Sequence, residues 1–124
     1  MKKPLLFCTT LFLANLIFAQ TTAIPDANFE QALINLGYDT GSPNGSVPTA
    51  NINTVTVLGL IPSNISDLTG IEDFTALTVL YCQNNLLTNL DLSQNTALVE
   101  LSCQDNQLTS LNVTQNTNLA TLFC

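Results

Sequence analysis

The chain has 124 residues, with nine acidic residues, only two basic residues (Lys2 and Lys3) and no histidine. Proteins bind phosphate backbones mainly through Lys and Arg, so this composition excludes direct binding of nucleic acid. It also excludes a Ser-His-Asp triad, a Cys-His pair and a histidine-bearing zinc site. The only catalytic arrangements that this composition still allows are a carboxylate pair and an acidic metal site. We expect neither catalysis nor a cofactor.

Residues 1–19 are predicted to form a secretory signal peptide. Lys2 and Lys3 supply a positive start, residues 5–18 form a short apolar run, and Ala19 offers a small residue for cleavage. A membrane span needs roughly 20 apolar residues in a row, and this run is shorter and interrupted by polar residues. Cleavage would remove both basic residues and leave no transmembrane segment.

Residues 20–54 are predicted to form an N-terminal helical cap followed by a loop. Asp26 can act as the N-cap of a helix in which Phe29, Leu33 and Leu36 share one face and Gly37 closes the end. The segment 39–51 is rich in Gly, Pro, Ser and Asn, which is typical of a loop.

The remainder of the chain repeats itself. The segment Leu77-Thr-Val-Leu80-Tyr-Cys82-Gln-Asn-Asn85 recurs 21 residues later, ending in Cys103-Gln-Asp-Asn106, and a third copy stops at Cys124. One unit earlier the step is 22 residues and Ser63 replaces the asparagine. The predicted repeats are 55–76, 77–97, 98–118 and a truncated 119–124, which favours a fragment of a longer protein.

This spacing resembles the leucine-rich repeat family, with its pattern L-x-x-L-x-L/C-x-x-N-x-L. The resemblance implies an α/β repeat solenoid with a parallel concave sheet, capped by the N-terminal helix. More narrowly, the repeats resemble those of secreted leucine-rich repeat proteins of the Bacteroidetes group, and residues 65–77 resemble an internalin-type repeat. Full-length relatives of the first kind often use type IX secretion. The implied location is the medium or the extracellular face of the bacterial outer membrane.

Two sets of repeated residues are predicted to be structural. Asn85 and Asn106 can satisfy buried backbone groups at a turn, because a side-chain amide both donates and accepts hydrogen bonds. Cys82, Cys103 and Cys124 are expected to face the interior about 5 Å apart on adjacent strands. Parallel side chains at that spacing favour a ladder of free thiols over a disulfide or a Cys-only metal site.

The outward positions of the strands are the predicted binding surface. Concave faces of repeat proteins are where partners usually dock. The candidate contact residues are Tyr81, Gln83, Glu100, Ser102, Gln104 and Phe123. We expect a non-catalytic recognition module that binds a protein or a glycan. The alternatives are an accessory region of a larger exported enzyme and a structural stalk.

A group of acidic residues is a candidate for a calcium site or a carboxylate pair. The group comprises Asp67, Glu72, Asp73 and Asp91. Their spacing does not match an EF-hand loop, and acidic residues on the outer side of a repeat protein usually maintain solubility. We therefore expect no metal at these residues.

Overall fold

The computed structural model describes residues 2–3 and 19–124. The predicted signal peptide, residues 1–19, lies almost wholly outside these residues and stays a prediction. Among the described residues, no helix combines the length and the apolar character needed to cross a membrane.

The N-terminal part contains a small antiparallel sheet that the sequence did not predict. Strand β1 (Thr21–Ala23) pairs with strand β2 (Ser46–Pro48), which is followed by a 3-10 turn at Thr49–Asn51. Strand β2 and the 3-10 turn lie in the segment expected to be a loop, residues 39–51, whereas β1 precedes the helix. Only Val47 of β2 is an apolar buried residue, so these three residues show no alternation that a sequence pattern could reveal.

Helix α1 (Ala27–Asn35) lies between these two strands and begins where the sequence predicts. Oδ1 of the N-cap residue Asp26 accepts hydrogen bonds from the backbone N–H groups of Asn28 (2.8 Å) and Phe29 (3.1 Å). Phe29 and Leu33 are fully buried. Leu36, the C-cap residue, was expected on the same face but is 46% exposed, although its backbone N–H still donates to the carbonyl oxygen of Ala32 (3.0 Å).

The second half forms a parallel sheet of four strands in chain order, as the repeat predicts. They are β3 (Val57–Gly59), β4 (Val79–Tyr81), β5 (Glu100–Ser102) and β6 (Thr121–Phe123). Their central leucines lie side by side: Leu58, Leu80, Leu101 and Leu122. The first three are fully buried, whereas Leu122, on the edge strand of the described sheet, is 40% exposed.

The segments that return from one strand to the next contain little helix. Within residues 19–124, α1 is the one α-helix, and the returns hold only a 3-10 turn at Ile71–Asp73. A step of 21 residues must accommodate a strand and two reversals of direction, which leaves little length for a helix. The returns are instead held by buried apolar side chains, namely Ile65, Leu68, Ile71, Phe74, Leu87, Leu90 and Leu92.

Helix α1 is joined to the first repeat by both polar and apolar contacts. Oδ2 of Asp26 accepts hydrogen bonds from the backbone N–H of Ser66 (2.8 Å), the Ser66 hydroxyl (2.9 Å) and the backbone N–H of Asp67 (3.0 Å). The rings of Phe29 and Phe74 stack with their centroids 6.4 Å apart. The helix and the repeats therefore share one hydrophobic core.

Substitution of Gly70 tests the close approach of the first repeat to β1. A Cβ atom at Gly70 would lie 2.7 Å from the carbonyl oxygen of Ala23 and would also meet the Ile24 side chain, at a backbone φ of +104°. We expect Gly70→Ala to lower the free energy of unfolding by about 2–5 kcal/mol in urea titrations. Gly41→Ala is the control, since it has a φ of +86° but open space around it, and should cost only about 1–2 kcal/mol. Equal losses would show that the contact with Ala23 is unimportant.

Acid should weaken the connection made by Asp26. Burial raises the pKa of this carboxyl, but hydrogen bonds from Ser66, Phe29 and Asp67 outweigh burial, so the pKa lies below its ordinary value. A carboxyl whose pKa falls on folding stabilises the protein above its unfolded pKa, and that contribution disappears as the pH drops through the folded pKa. Asp26→Asn should therefore cost about 1 kcal/mol at pH 7, with the difference from wild type shrinking below about pH 4.

The control for this measurement is Asp105→Asn. This change removes the same charge at an exposed carboxyl that accepts no hydrogen bond from the described residues. Urea titrations at several pH values should show a pH-dependent difference for Asp26→Asn alone. A constant difference across the range would contradict the role given to the ionised carboxylate.

Candidate functional site

The outer face of the sheet consists of the strand residues on either side of the buried leucines. These residues are Val57, Gly59, Val79, Tyr81, Glu100, Ser102, Thr121 and Phe123. They point away from the core because successive side chains of a strand lie on opposite faces. We use the term outer face for this set throughout.

Tyr81 and Glu100 form a polar pair in the middle of the outer face. The hydroxyl of Tyr81, on β4, donates a hydrogen bond of 3.0 Å to Oε1 of Glu100, on β5. This hydrogen bond raises the pKa of Tyr81 above its ordinary value. The hydroxyl therefore stays protonated, and its hydrogen bond holds the side chain in one orientation. The ring remains available as a contact surface.

An apolar groove lies beside Tyr81. It has a volume of about 250 Å³ and is lined by Gly59, Leu60, Ile61, Pro62, Tyr81 and Gln83. Ile61 is 71% exposed, the largest exposure among the large apolar residues of the described chain. Oε1 of Gln83 is buried and accepts no hydrogen bond from the described residues. The groove is therefore an almost wholly apolar surface beside the Tyr81–Glu100 pair.

The remaining predicted contact residues lie apart from this groove. Ser102 is only 6% exposed. Its hydroxyl donates a hydrogen bond of 2.9 Å to Oε1 of Gln104, so these two polar groups are already paired with each other. Phe123 is 54% exposed but lies on β6, two strands and hence about 10 Å from Tyr81. Of the six predicted residues, the structure brings together Tyr81, Gln83 and Glu100.

The three cysteines of the repeats follow β4, β5 and β6 at equivalent positions. All are free thiols: Cys82 is fully buried, Cys103 is 2% exposed, and Cys124 is exposed in the last coil of the sequence. Burial, with a smaller contribution from Cys103, raises the pKa of the Cys82 thiol to about 12. Cys82 is consequently a protonated core residue at neutral pH.

Asn85 and Asn106 tie neighbouring repeats together at the turn after each strand. Oδ1 of Asn85 accepts from the backbone N–H groups of Ser63 and Ile65, both at 3.1 Å. The amide of Asn106 donates to the carbonyl oxygens of Cys82 and Cys103, both at 3.0 Å. Each of these asparagines therefore bonds backbone groups of two successive repeats.

A second asparagine ladder, on the return side of the repeats, was not predicted. The amide of Asn95 donates to the carbonyl of Ile71 at 2.8 Å, and the amide of Asn116 donates to those of Leu92 and Asn95, both at 2.9 Å. The recurrence of Gln-Asn-Thr after 21 residues was the available signal. Phe74 occupies the equivalent position one repeat earlier, so an asparagine there does not recur in all units.

Three carboxylates of the candidate calcium site accept hydrogen bonds from neighbouring groups of the protein. Asp67 accepts hydrogen bonds from the backbone N–H and the hydroxyl of Thr69, and Glu72 accepts one from the backbone N–H of Gly70. Asp73 accepts a hydrogen bond from the Thr22 hydroxyl at 2.6 Å. In the part of the chain that the structure describes, no three His, Cys, Asp or Glu residues form a group that could hold a metal ion.

Comparison with known proteins finds similarity to internalins. No model of a known protein family matches the chain. Internalin J from Listeria monocytogenes serotype 4b (strain F2365) is 47% identical over 50 residues, which is 40% of this chain and 6% of that protein. The match therefore covers a small part of the relative.

Solved structures extend the similarity to most of the chain. The functional domain of InlJ from Listeria monocytogenes, described as including a cysteine ladder, aligns with a TM-score of 0.75 and 39% identity, over 86% of this chain and 24% of that one. An internalin, InlF, from the same species aligns with a TM-score of 0.73 and 24% identity, over 81% of this chain and 30% of that one. The InlF likeness shows the fold alone. Together these comparisons support a leucine-rich repeat fold of the internalin type.

Replacement of Asn106 tests the role of the first ladder. Asn106→Ala removes the hydrogen bonds to the carbonyls of Cys82 and Cys103 and the one that Oδ1 accepts from the backbone N–H of Leu87 (3.0 Å). We expect the free energy of unfolding to fall by about 1–3 kcal/mol in chemical denaturation. The control is Asn118→Ala, at an exposed residue with one long bond of 3.4 Å to Thr96, which should change it by about 0.5 kcal/mol or less. A neutral result at Asn106 would contradict the ladder.

Proposed function

We propose that this chain, whose repeats are similar to those of internalins, is a non-catalytic recognition module that binds a partner protein through the outer face of its sheet. The observation that carries the proposal is the apolar groove beside the Tyr81–Glu100 pair. Exposed apolar surface bordered by polar groups is typical of protein-binding sites. A fixed tyrosine ring adds contact area at little entropic cost.

The chemistry of the groove favours a protein over a glycan. A glycan site usually needs several free polar groups, whereas here the Tyr81 hydroxyl is already bonded to Glu100. The exposed wall is formed by Ile61 and Pro62, which suit an apolar side chain.

Composition supports a binding role over an enzymatic one. No Lys, Arg or His follows Lys3 in the sequence, so the side chains most used in acid–base and nucleophilic catalysis are missing from the repeats. A role as an accessory region of an exported enzyme, or as a stalk, would place the function in other parts of a longer protein. Export to the medium or to the cell surface rests on the pattern of residues 1–19.

The groove makes a specific prediction about affinity. A partner would first be captured with the full chain as bait and identified, and its affinity for purified variants would then be measured by calorimetry. Ile61→Asn and Tyr81→Ala should each weaken binding by about 10-fold or more, since residues at the centre of an interface typically carry 1–2 kcal/mol or more.

The matched control is Leu86→Asn. Leu86 is 41% exposed but does not line the groove, so the same kind of change there should leave affinity within about 2-fold of wild type. Equal weakening by all three substitutions, or none by Ile61→Asn and Tyr81→Ala, would show that the partner does not use the groove. Binding to a glycan array in place of a protein would contradict the proposed partner class.

A further inference from the structure

Asn44 is the only asparagine in the sequence that is followed by a glycine. Asparagine is a thermolabile residue, because the backbone nitrogen of the next residue can attack its side-chain amide carbon. A glycine in the next position has no Cβ atom to obstruct this attack. Asn44 and Gly45 are both exposed, directly ahead of β2. In sequence and exposure, this pair is therefore the part of the chain most open to spontaneous deamidation.

The reaction is an intramolecular substitution. The backbone nitrogen of Gly45 bonds to Cγ of Asn44, and the side-chain nitrogen of Asn44 takes up the displaced proton and leaves as ammonia, so that a succinimide ring forms. Water then opens the ring at either carbonyl and gives aspartate or isoaspartate at position 44. The attack requires the Gly45 N–H to leave its other hydrogen bonds and the planar peptide group to turn towards the side chain.

In the folded protein this N–H is held by a buried carboxylate. The backbone N–H of Gly45 donates to Oε2 of Glu30 at 2.8 Å, and that of Asn44 donates to Oε1 at 2.6 Å. Glu30 lies on α1 and is almost completely buried. Hydrogen bonds to an ionised acceptor are about twice as strong as neutral ones. Glu30 thus engages the nitrogen atom that would otherwise attack Asn44.

A second contact fixes Gly45 through its carbonyl group. The Gly45 carbonyl oxygen accepts a hydrogen bond of 2.9 Å from the backbone N–H of Ile24, next to the pairing of β1 with β2. The side-chain amide of Asn44 has no comparable protection. Its Oδ1 accepts a hydrogen bond of 2.9 Å from the hydroxyl of Ser46, which draws electron density away from the amide carbon. The bond between Gly45 and Glu30 is therefore the contact that opposes the reaction.

We propose that Asn44 is a latent deamidation site, which Glu30 keeps unmodified by holding the backbone N–H of Gly45. Modification requires the loop before β2 to open and release this N–H. An isoaspartate lengthens the main chain by one carbon and shifts both N–H groups relative to Glu30, whereas an aspartate adds a second negative charge close to it. Either product weakens the closed loop. The site lies on the N-terminal part of the structure and does not depend on the proposed recognition function.

The experiment follows Asn44 in the purified full chain by peptide mapping and mass spectrometry during incubation at neutral pH. A synthetic peptide of residues 41–48 serves as the unfolded reference. We expect the folded chain to react at least about 10-fold more slowly than the peptide, because only molecules with an open loop react. Glu30→Gln should accelerate the reaction in the folded chain by about 10-fold or more, since a neutral amide accepts through one oxygen only and binds the N–H more weakly.

Glu72→Gln is the matched control. Glu72 also accepts a hydrogen bond of 2.8 Å from the backbone N–H of a glycine, Gly70, but it lies in the first repeat. This change should leave the rate at Asn44 within about 2-fold of wild type, with circular dichroism confirming that the variants are folded. Asn106→Ala, which weakens the repeats, should also leave the rate unchanged if local opening of the loop controls the reaction.

A wild-type rate equal to that of the peptide would overturn the proposal. An unchanged rate in folded Glu30→Gln would overturn it too, as would equal acceleration by Glu72→Gln or Asn106→Ala, because protection would then come from the overall stability of the protein. Should Glu30→Gln fail to fold, amide hydrogen exchange of the wild type decides the point. Slow exchange at Gly45 would support the bond to Glu30, and exchange as fast as in the peptide would contradict it.

Discussion

Each repeat of this protein must bury backbone groups that have no partner within their own repeat. The strands are only three residues long, and the segments between them turn twice before the next strand begins. Unpaired N–H and C=O groups buried at these turns would each cost about 1–3 kcal/mol. Asparagine amides pair them on both sides of the repeats, at Asn85 and Asn106 after the strands and at Asn95 and Asn116 on the return. The short 21-residue step is possible because side chains replace the missing backbone partners.

The N-terminal end meets the same constraint by other means. In the described residues, helix α1 supplies both the apolar cover and the polar partners for the first return segment. One carboxylate, that of Asp26, accepts hydrogen bonds from the start of α1 and from Ser66 and Asp67 of the first repeat. Glu30, 1% exposed, accepts in a similar way from the backbone N–H groups of Asn44 (2.6 Å) and Gly45 (2.8 Å). Acidic side chains thus act as acceptors for loop backbone as well as surface charges.

Features tied to the repeat period could be predicted from the sequence, and features set by single neighbours could not. The parallel sheet, the row of cysteines, Asn85 and Asn106 all follow from the 21-residue step. The N-cap role of Asp26 followed from local helix chemistry. The Tyr81–Glu100 hydrogen bond and the burial of Ser102 depend on side-chain conformations on adjacent strands. The repeat spacing does not predict these conformations. The groove escaped prediction because it requires Ile61 and Pro62, which lie beyond β3, to face Tyr81 on the next strand.

The asparagine contacts that span two repeats restrict how the gene of such a protein can change in length. Asn106 binds carbonyls from two successive repeats, so an inserted or deleted codon in that coil would misalign the amide with at least one of them. Duplication or loss of a whole 21-residue unit would leave every contact matched. The single 22-residue step occurs in the unit where Ser63 stands in place of the asparagine, and there Asn85 of the next repeat reaches back to bind it. Length variation in these repeats is therefore expected to proceed in whole units, with single-residue changes confined to coils that lack their own ladder asparagine.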